Sequence, residues 1–306
     1  MPSAADQPRL IVLANLGKPS VAQAMEDLCP WLRQRAQVIV GQDGGRAILE
    51  APPRPGHKPA DFAIILGGDG TMLAQARRLI DHQIPFVGIN FGKLGFLAEF
   101  SLQEFQSSFE AITSGKIPSS RHVLLDVRLF ERAVGEPWVI DAGARGLLSQ
   151  AAAINDVVLM AGEPFRMIDM EFVIDQGSGP GQATKFAGDG VIVSTPLGST
   201  AYNLSAGGPI VSPDVAALCI TPLCPHSLAF RPIVVSSASA VVVRADPTNA
   251  GSAVVIDGQV TLKLHAGHQI LIRQYAHPFL LVHNPAHDYW SMLAQKLHWA
   301  ARPRSG

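Results

Sequence analysis

Residues Ile64-Ile65-Leu66 run straight into Gly67-Gly68-Asp69-Gly70-Thr71, and a helical pattern follows from Met72. Glycine tolerates φ > 0 and lets a ligand approach the backbone. Unpaired N–H groups in such a turn, and at the start of the next helix, attract phosphate oxygens. An anion cradle needs no acid of its own, so Asp69 requires a separate reason. A carboxylate beside phosphate repels it unless it holds a metal or takes a proton from an attacking hydroxyl. Gly-Gly-Asp-Gly is also a common tight-turn composition, and Asp caps helices well. On this motif alone, a structural turn and a phosphoryl-transfer turn both stay open. No Gly-Lys-Ser/Thr follows as in a Walker A loop, and the glycine spacing is not a dinucleotide fingerprint.

The surroundings of the turn set the fold expectation. Residues 10–14 form an apolar run, and residues 20–36 carry helical spacing through Val21, Met25, Leu28 and Leu32. Strands are expected at 38–40, 62–66 and 86–89, a helix at 71–81, and a mobile Gly/Pro-rich loop at 41–59. Continuously apolar strands alternating with helices indicate a parallel sheet covered on both faces. Asp69 then sits beyond the carboxyl end of a strand, where open α/β sheets bind ligands.

After Ile117 the pattern changes to short strand-like segments separated by turns, at 122–130, 153–160, 168–175, 190–195, 232–236, 239–245, 252–257, 260–264, 269–274 and 279–283. That spacing predicts an all-β sandwich. Helical spacing returns at 287–300 through Trp290, Leu293 and Leu297. The expected organisation is an α/β domain at 1–118, a β-rich domain at 119–284, and a terminal helix at 285–306 that packs back on the first domain.

Composition excludes several classes. The 306 residues are 47% hydrophobic and 16% charged with a net charge of −1, which gives ample core and argues against disorder. No stretch concentrates Lys and Arg with aromatics, so no nucleic-acid partner is expected. No apolar run reaches membrane-spanning length and residues 1–9 show no signal-peptide pattern, so the expected location is the cytoplasm. Cys29, Cys219 and Cys224 read as buried free thiols, since an odd count does not make a disulfide framework. His265 with His268, and His283 with His287, have metal-like spacing but no Glu partner, and no metal ligand is assigned. His226 reads as a core histidine.

A second block of chemistry spans residues 187–211. It holds Asp189-Gly190, a buried strand, the corner Thr195-Pro196-Leu197-Gly198-Ser199-Thr200-Ala201-Tyr202, and a short helical turn ended by Gly207-Gly208-Pro209. Small residues at a corner let a flat ligand lie against backbone. Thr200, Tyr202 and Ser205 offer hydroxyls, and Asp189 can accept a bond from an amide or ribose.

Together the blocks resemble the NAD kinase family over nearly the whole chain. Besides the Gly67–Thr71 turn and the 195–202 corner, the matching residues are Asn90-Phe91-Gly92-Lys93-Leu94-Gly95-Phe96-Leu97, Ile154-Asn155-Asp156-Val157-Val158, Pro225-His226-Ser227-Leu228, Arg231-Pro232 and Asp257-Gly258-Gln259. The glycine turn is shared with phosphofructokinase-like and diacylglycerol-kinase-like enzymes. The Thr-Pro-x-Gly-Ser-Thr-Ala-Tyr run following an Asn-Asp pair is specific to the NAD kinases.

The resemblance implies a phosphofructokinase-like α/β domain, a sandwich-like β domain, and NAD held between them. It makes Asp69 the proton acceptor for the 2′-hydroxyl of the adenosine ribose, with Gly67, Gly68, Gly70 and Thr71 receiving phosphate. Phe96 would line the adenine pocket, and Asn155 and Asp156 would hold ribose hydroxyls. Asp189 and the segment Thr200, Ala201, Tyr202, Asn203, Leu204 and Ser205 would contact the dinucleotide, with further contacts from Arg166 and Gln259. Members act on NAD, use ATP and sometimes polyphosphate, require Mg²⁺ or another divalent cation, and assemble as homodimers or homotetramers.

Three positions depart from the family pattern. Many relatives carry Glu where this chain has Asp156, Arg where it has Ala187, and Thr or Ser where it has Leu197. Lys185 is a candidate to replace the missing charge. The departures leave the choice between NAD and NADH open. Two other readings remain beside the kinase: a lipid or sugar kinase sharing the glycine turn, and a catalytically silent dinucleotide-binding regulator.

Overall fold

A computed structural model of the chain describes residues 7–40, 59–92, 95–227, 229–246 and 248–297. The chain forms two compact units, Met1–Arg121 with Leu280–Gly306, and His122–Phe279. Most of the expected 41–59 loop lies outside the described residues, as do Lys93 and Leu94 of the second glycine-rich motif and Leu228.

The first unit is built on a six-stranded sheet in the order Gln37–Val40, Arg9–Ala14, Phe62–Leu66, Phe86–Ile89, Phe279–Val282, Ser119–His122. The pairings among its first five strands are parallel. Leu10, Val12, Ile64, Leu66, Val87 and Ile89 share a core with helices Pro19–Arg33 and Leu102–Thr113. The alternate residues Ile11, Leu13 and Ile65 are buried as well, so both faces of the sheet are covered. That is why these strands read as unbroken apolar runs.

Two helices differ from expectation. The one expected at 71–81 is Asp69–Leu79, with Gly68 as its N-cap. Asp69 therefore opens the helix without capping it, and its carboxylate is directed elsewhere. Helix Leu102–Thr113 was not expected at all, although its signal lies in the sequence. Ser101 accepts from the N–H of Glu104, and the Glu104 carboxylate accepts from the N–H of Ser101, a reciprocal capping box.

The second unit holds two antiparallel six-stranded sheets. One runs Thr184–Gly188, Ile168–Asp175, Ala240–Ala245, Gln269–Gln274, Leu125–Phe130, Leu147–Ala153; the other runs Ile233–Ser236, Ala217–Leu223, Gly190–Ser194, Asp156–Met160, Ala253–Ile256, Val260–Lys263. Residues of both sheets, among them Val127, Phe172, Val241 and Ile270 from one and Val157, Val191, Ile220 and Val254 from the other, close on a single core. The fold is thus α/β followed by a β sandwich.

Strands Leu147–Ala153, Thr184–Gly188 and Ala217–Leu223 were not expected. The last contains Pro222, which argues against an interior strand. Its register explains the exception. Ala217–Leu223 pairs with Ile233–Ser236 only as far as Ile220, so on that side Pro222 has no neighbour to which it would donate. Ser119–His122 and Phe279–Val282, placed by the sequence in the β-rich domain, belong to the sheet of the first unit. Helix Tyr289–Leu297 also belongs to that unit. No helix among the described residues is long and apolar enough to cross a membrane.

Candidate active site

In the first unit the site is organised around Asp69. Its Oδ2 accepts the N–H of Phe96 at 2.9 Å, and its Oδ1 accepts those of Leu97 and Ala98, each at 3.0 Å. The carboxylate at the head of one helix thus fixes a segment almost thirty residues downstream in sequence. Close approach makes this possible. A Cβ on Gly88 would stand 2.6 Å from the Cα of Ala98, so strand Phe86–Ile89 has no side chain where that segment crosses.

The glycines of the turn divide by what requires them. Gly67 has φ +155°, and a Cβ there would meet Thr71 Oγ1 at 2.6 Å, so conformation and packing both demand glycine. At Gly68 and Gly70 an added Cβ would meet nothing within 4 Å, and neither has a positive φ. Among the described residues, none occupies the space a Cβ would take at these two positions.

Phe96 is half-buried, with the ring of Tyr289 at 6.2 Å and Lys296 Nζ at 4.2 Å from its centroid. Nearby, Glu99 is 1% exposed. It binds His283 Nδ1 at 2.7 Å and accepts the N–H of Asn284 at 2.9 Å.

In the second unit the sequence brings Asn155 and Asp156 to the start of a central strand. Asp257, which lies about a hundred residues further on, holds them there. Its carboxylate accepts the N–H groups of Ile154 at 3.0 Å, Asn155 at 2.7 Å and Asp156 at 3.1 Å. Asp257 and Gly258 have φ of 49° and 66° and form the tight turn between Ala253–Ile256 and Val260–Lys263. Asp-Gly is the usual pair for that turn, so the signal for this residue was present in the sequence. Its role in positioning Asn155 was not.

The 195–202 corner closes on the same residues. Thr195 donates its hydroxyl to Ile154 O at 2.7 Å and its N–H to Asn155 O at 2.9 Å. A Cβ on Gly198 would stand 2.1 Å from Asn155 O. Asn155, Asp156, Ala201 and Tyr202 then line, with Asp257 and Gly258, a cleft of about 270 Å³. Asp156 is 4% exposed, and its pKa is pushed up to about 7, first by burial and then by the neighbouring charge of Asp257. A carboxyl group in this state exchanges its proton near neutral pH.

The other residues singled out from sequence in this unit are bonded within the fold, half-buried or exposed. Asn203 is fully buried. It donates to Ser199 O and Pro209 O, each at 3.0 Å, and accepts the Thr221 hydroxyl at 2.7 Å. The Thr200 hydroxyl bonds Leu197 O at 3.3 Å, Leu204 is half-buried, and Ser205 and Gln259 are exposed. Arg166 is exposed, in a loop that Asn249 ties down through Arg166 O. Asp189 is exposed too, and hydrogen-bonds the Cys224 thiol, pushing its pKa up.

Two expectations are overturned here. Cys224 is exposed, because it turns with φ 43° at the end of its strand; Cys29 and Cys219 are buried. His226 is exposed and enters the fold through its backbone N–H, which donates to Ala187 O at 2.8 Å. Lys185, the candidate to replace a charge at Ala187, forms an exposed ion pair with Glu171, which also holds Arg244 at 2.6 Å. The side chains of Lys185, Glu171 and Arg244 line a hollow of about 480 Å³ in this unit, which contains none of the residues assigned to the dinucleotide.

Family models of the ATP-NAD kinase N-terminal and C-terminal domains match residues 10–117 and 154–284. The chain belongs to the NAD kinase family. It is an enzyme of that family, 35% identical over 301 residues to the NAD kinase of Syntrophotalea carbinolica, with 96% of this chain and 99% of the relative covered. The fold is also that of yeast NADH kinase complexed with NADH, with a TM-score of 0.81 at 24% identity over 98% of this chain and 90% of that one. An NAD kinase from Archaeoglobus fulgidus in complex with ATP superposes with a TM-score of 0.66 at 24% identity, covering 90% and 94%.

Proposed function

We propose that this enzyme transfers the γ-phosphoryl group of ATP to the 2′-hydroxyl of the adenosine ribose of NAD, giving NADP and ADP, with Asp69 as the proton acceptor. The observation that carries the reading is the Asp69 carboxylate, held by three N–H groups beside two glycines whose open side no described residue fills. As the ribose oxygen bonds to phosphorus, the bond from phosphorus to the β-phosphate oxygen breaks and the hydroxyl proton passes to Asp69. A carboxylate offers about four lone-pair directions, so three N–H bonds leave room for that proton. Gly67, Gly68, Gly70 and Thr71 receive phosphate, and Phe96 lines the adenine pocket. Asn155 and Asp156 hold ribose hydroxyls; Asp189, the 200–205 segment, Arg166 and Gln259 supply the remaining contacts with the dinucleotide.

Among the described residues no three His, Cys, Asp or Glu side chains gather to hold a metal ion. That suits Mg²⁺ entering with the triphosphate, since this ion is commonly held by substrate phosphates and one or two carboxylates. Mg²⁺ is then part of the donor substrate. Inorganic polyphosphate is a second candidate donor, a homodimer or homotetramer the assembly, and the cytoplasm the place of action.

The three N–H bonds also favour a second reading, in which Asp69 serves structure alone and the protein is a silent dinucleotide binder. Incubation with NAD, ATP and Mg²⁺ separates the two. NADP production supports the kinase, whereas thermal stabilisation by NAD with no NADP formed supports the binder.

A further inference from the structure

Lys296 lies in the last turn of helix Tyr289–Leu297, with its Nζ 4.2 Å from the centroid of the Phe96 ring. Phe96 is also the residue whose N–H Asp69 accepts at 2.9 Å. The terminal helix therefore delivers a cation to the segment that Asp69 anchors. Lys296 is half-buried, and among the described residues it forms no ion pair.

The acids that act on Lys296 are Asp69 and Glu99, and both are engaged by other donors. Asp69 accepts three backbone N–H groups, and Glu99 binds His283 and Asn284. Burial pushes the lysine pKa down, against the upward pull of the two carboxylates. A half-buried ammonium without its own counter-ion is costly to hold. An arriving anion offsets that cost, and a lysine is a compact point charge suited to phosphate oxygens. Stacking on Phe96 alone is a weak contribution to the fold, one that any flat, long side chain could approach.

We infer that Lys296 binds a phosphate group of one of the substrates at the Asp69 turn, steadied there by the face of Phe96. The inference rests on the kinase reading above. The phosphate belongs either to the triphosphate donor or to the pyrophosphate of the dinucleotide, and the test has one arm for each.

The test uses the full chain as wild type, Lys296→Met and Lys296→Arg, with kcat and KM measured for ATP and for NAD. Loss of a charge-assisted contact predicts a rise of about tenfold or more in one KM for Lys296→Met, largely restored in Lys296→Arg. A rise confined to ATP assigns the donor, and one confined to NAD assigns the pyrophosphate. Inorganic triphosphate, a probe without a nucleoside, is expected to raise the Tm of wild type more than that of Lys296→Met if the donor is the ligand. Both KM values within about twofold of wild type would overturn the inference, as would a loss that Arg does not restore and that tracks a lowered Tm. Wild-type turnover is the control: its absence counts against the kinase reading, whereas turnover with unchanged KM values counts against Lys296 alone.

Discussion

Gly95 approaches Asp69 so closely that a Cβ would stand 2.0 Å from its Oδ1. The glycine is fixed by the carboxylate, just as the carboxylate is fixed by the N–H groups that follow Gly95. Gly95→Ala must therefore push Asp69 aside or open the 95–98 segment. Overpacking of this kind costs about 1–3 kcal/mol, readable as a lowered urea midpoint. Displacing a reacting group by even ~1 Å can cost about a hundredfold in rate. A Gly95→Ala enzyme with unchanged kcat would show that this contact does not set the geometry of the reaction.

Asp257→Asn tests the support beneath Asn155 and Asp156. An amide has one acceptor oxygen, and its NH₂ would face N–H groups that the carboxylate now accepts. A donor left unsatisfied there costs about 1–3 kcal/mol. The expected result is a lowered Tm together with a raised KM for NAD, and an unchanged KM for ATP would separate this effect from general damage.

Asp156 gives a pH prediction with a definite sign. Its folded-state pKa is raised from 3.8 to about 7, so the folded protein binds this proton more tightly than the unfolded chain does. The resulting stability is fully present below pH 3.8 and is lost as the pH rises through about 7. Asp156→Asn removes the titration. Urea denaturation of the ligand-free protein across this range should show wild type losing ground to the variant as the pH rises. Parallel profiles for the two proteins would mean that the group does not titrate in that window.

Gly198→Ala bears on the corner that wraps Asn155. A Cβ 2.1 Å from Asn155 O cannot be accommodated without moving backbone. The predicted outcome is a raised KM for NAD and a lowered Tm. Gly68→Ala meets nothing within 4 Å in the ligand-free chain, so it should leave the Tm near wild type while weakening phosphate binding. Equal loss of stability in the two variants would remove the distinction between glycines required by the fold and glycines required by the ligand.

Much of this was legible in the sequence because short-range chemistry carried it. The apolar run into Gly67-Gly68-Asp69-Gly70 gave the strand, the turn and the position of the carboxylate. The strand expected at 269–274 lies at Gln269–Gln274. What escaped was set by long-range partners. Nothing near Asp257 announces that its carboxylate reaches Asn155, and nothing near Asp69 announces that it serves Phe96, Leu97 and Ala98. Pro222 hid a strand, since whether its missing N–H matters depends on where the neighbouring strand stops. The Thr200 hydroxyl and the Asn203 amide, expected among the dinucleotide contacts, each bond inside the fold in the ligand-free chain.

Asp69 has two roles in the proposed reaction: it accepts the ribose proton, and it holds the 95–98 segment. Asp69→Asn separates these roles, because the amide oxygen can still accept from Leu97 and Ala98 while the carboxylate base is gone. The most direct measurement is the rate of NADP formation from NAD, ATP and Mg²⁺ by wild type and Asp69→Asn, with Tm recorded for both. Wild type should form NADP, and kcat should fall by about a hundredfold or more in a variant that remains folded. A folded Asp69→Asn enzyme turning over near the wild-type rate would contradict the proton-accepting role.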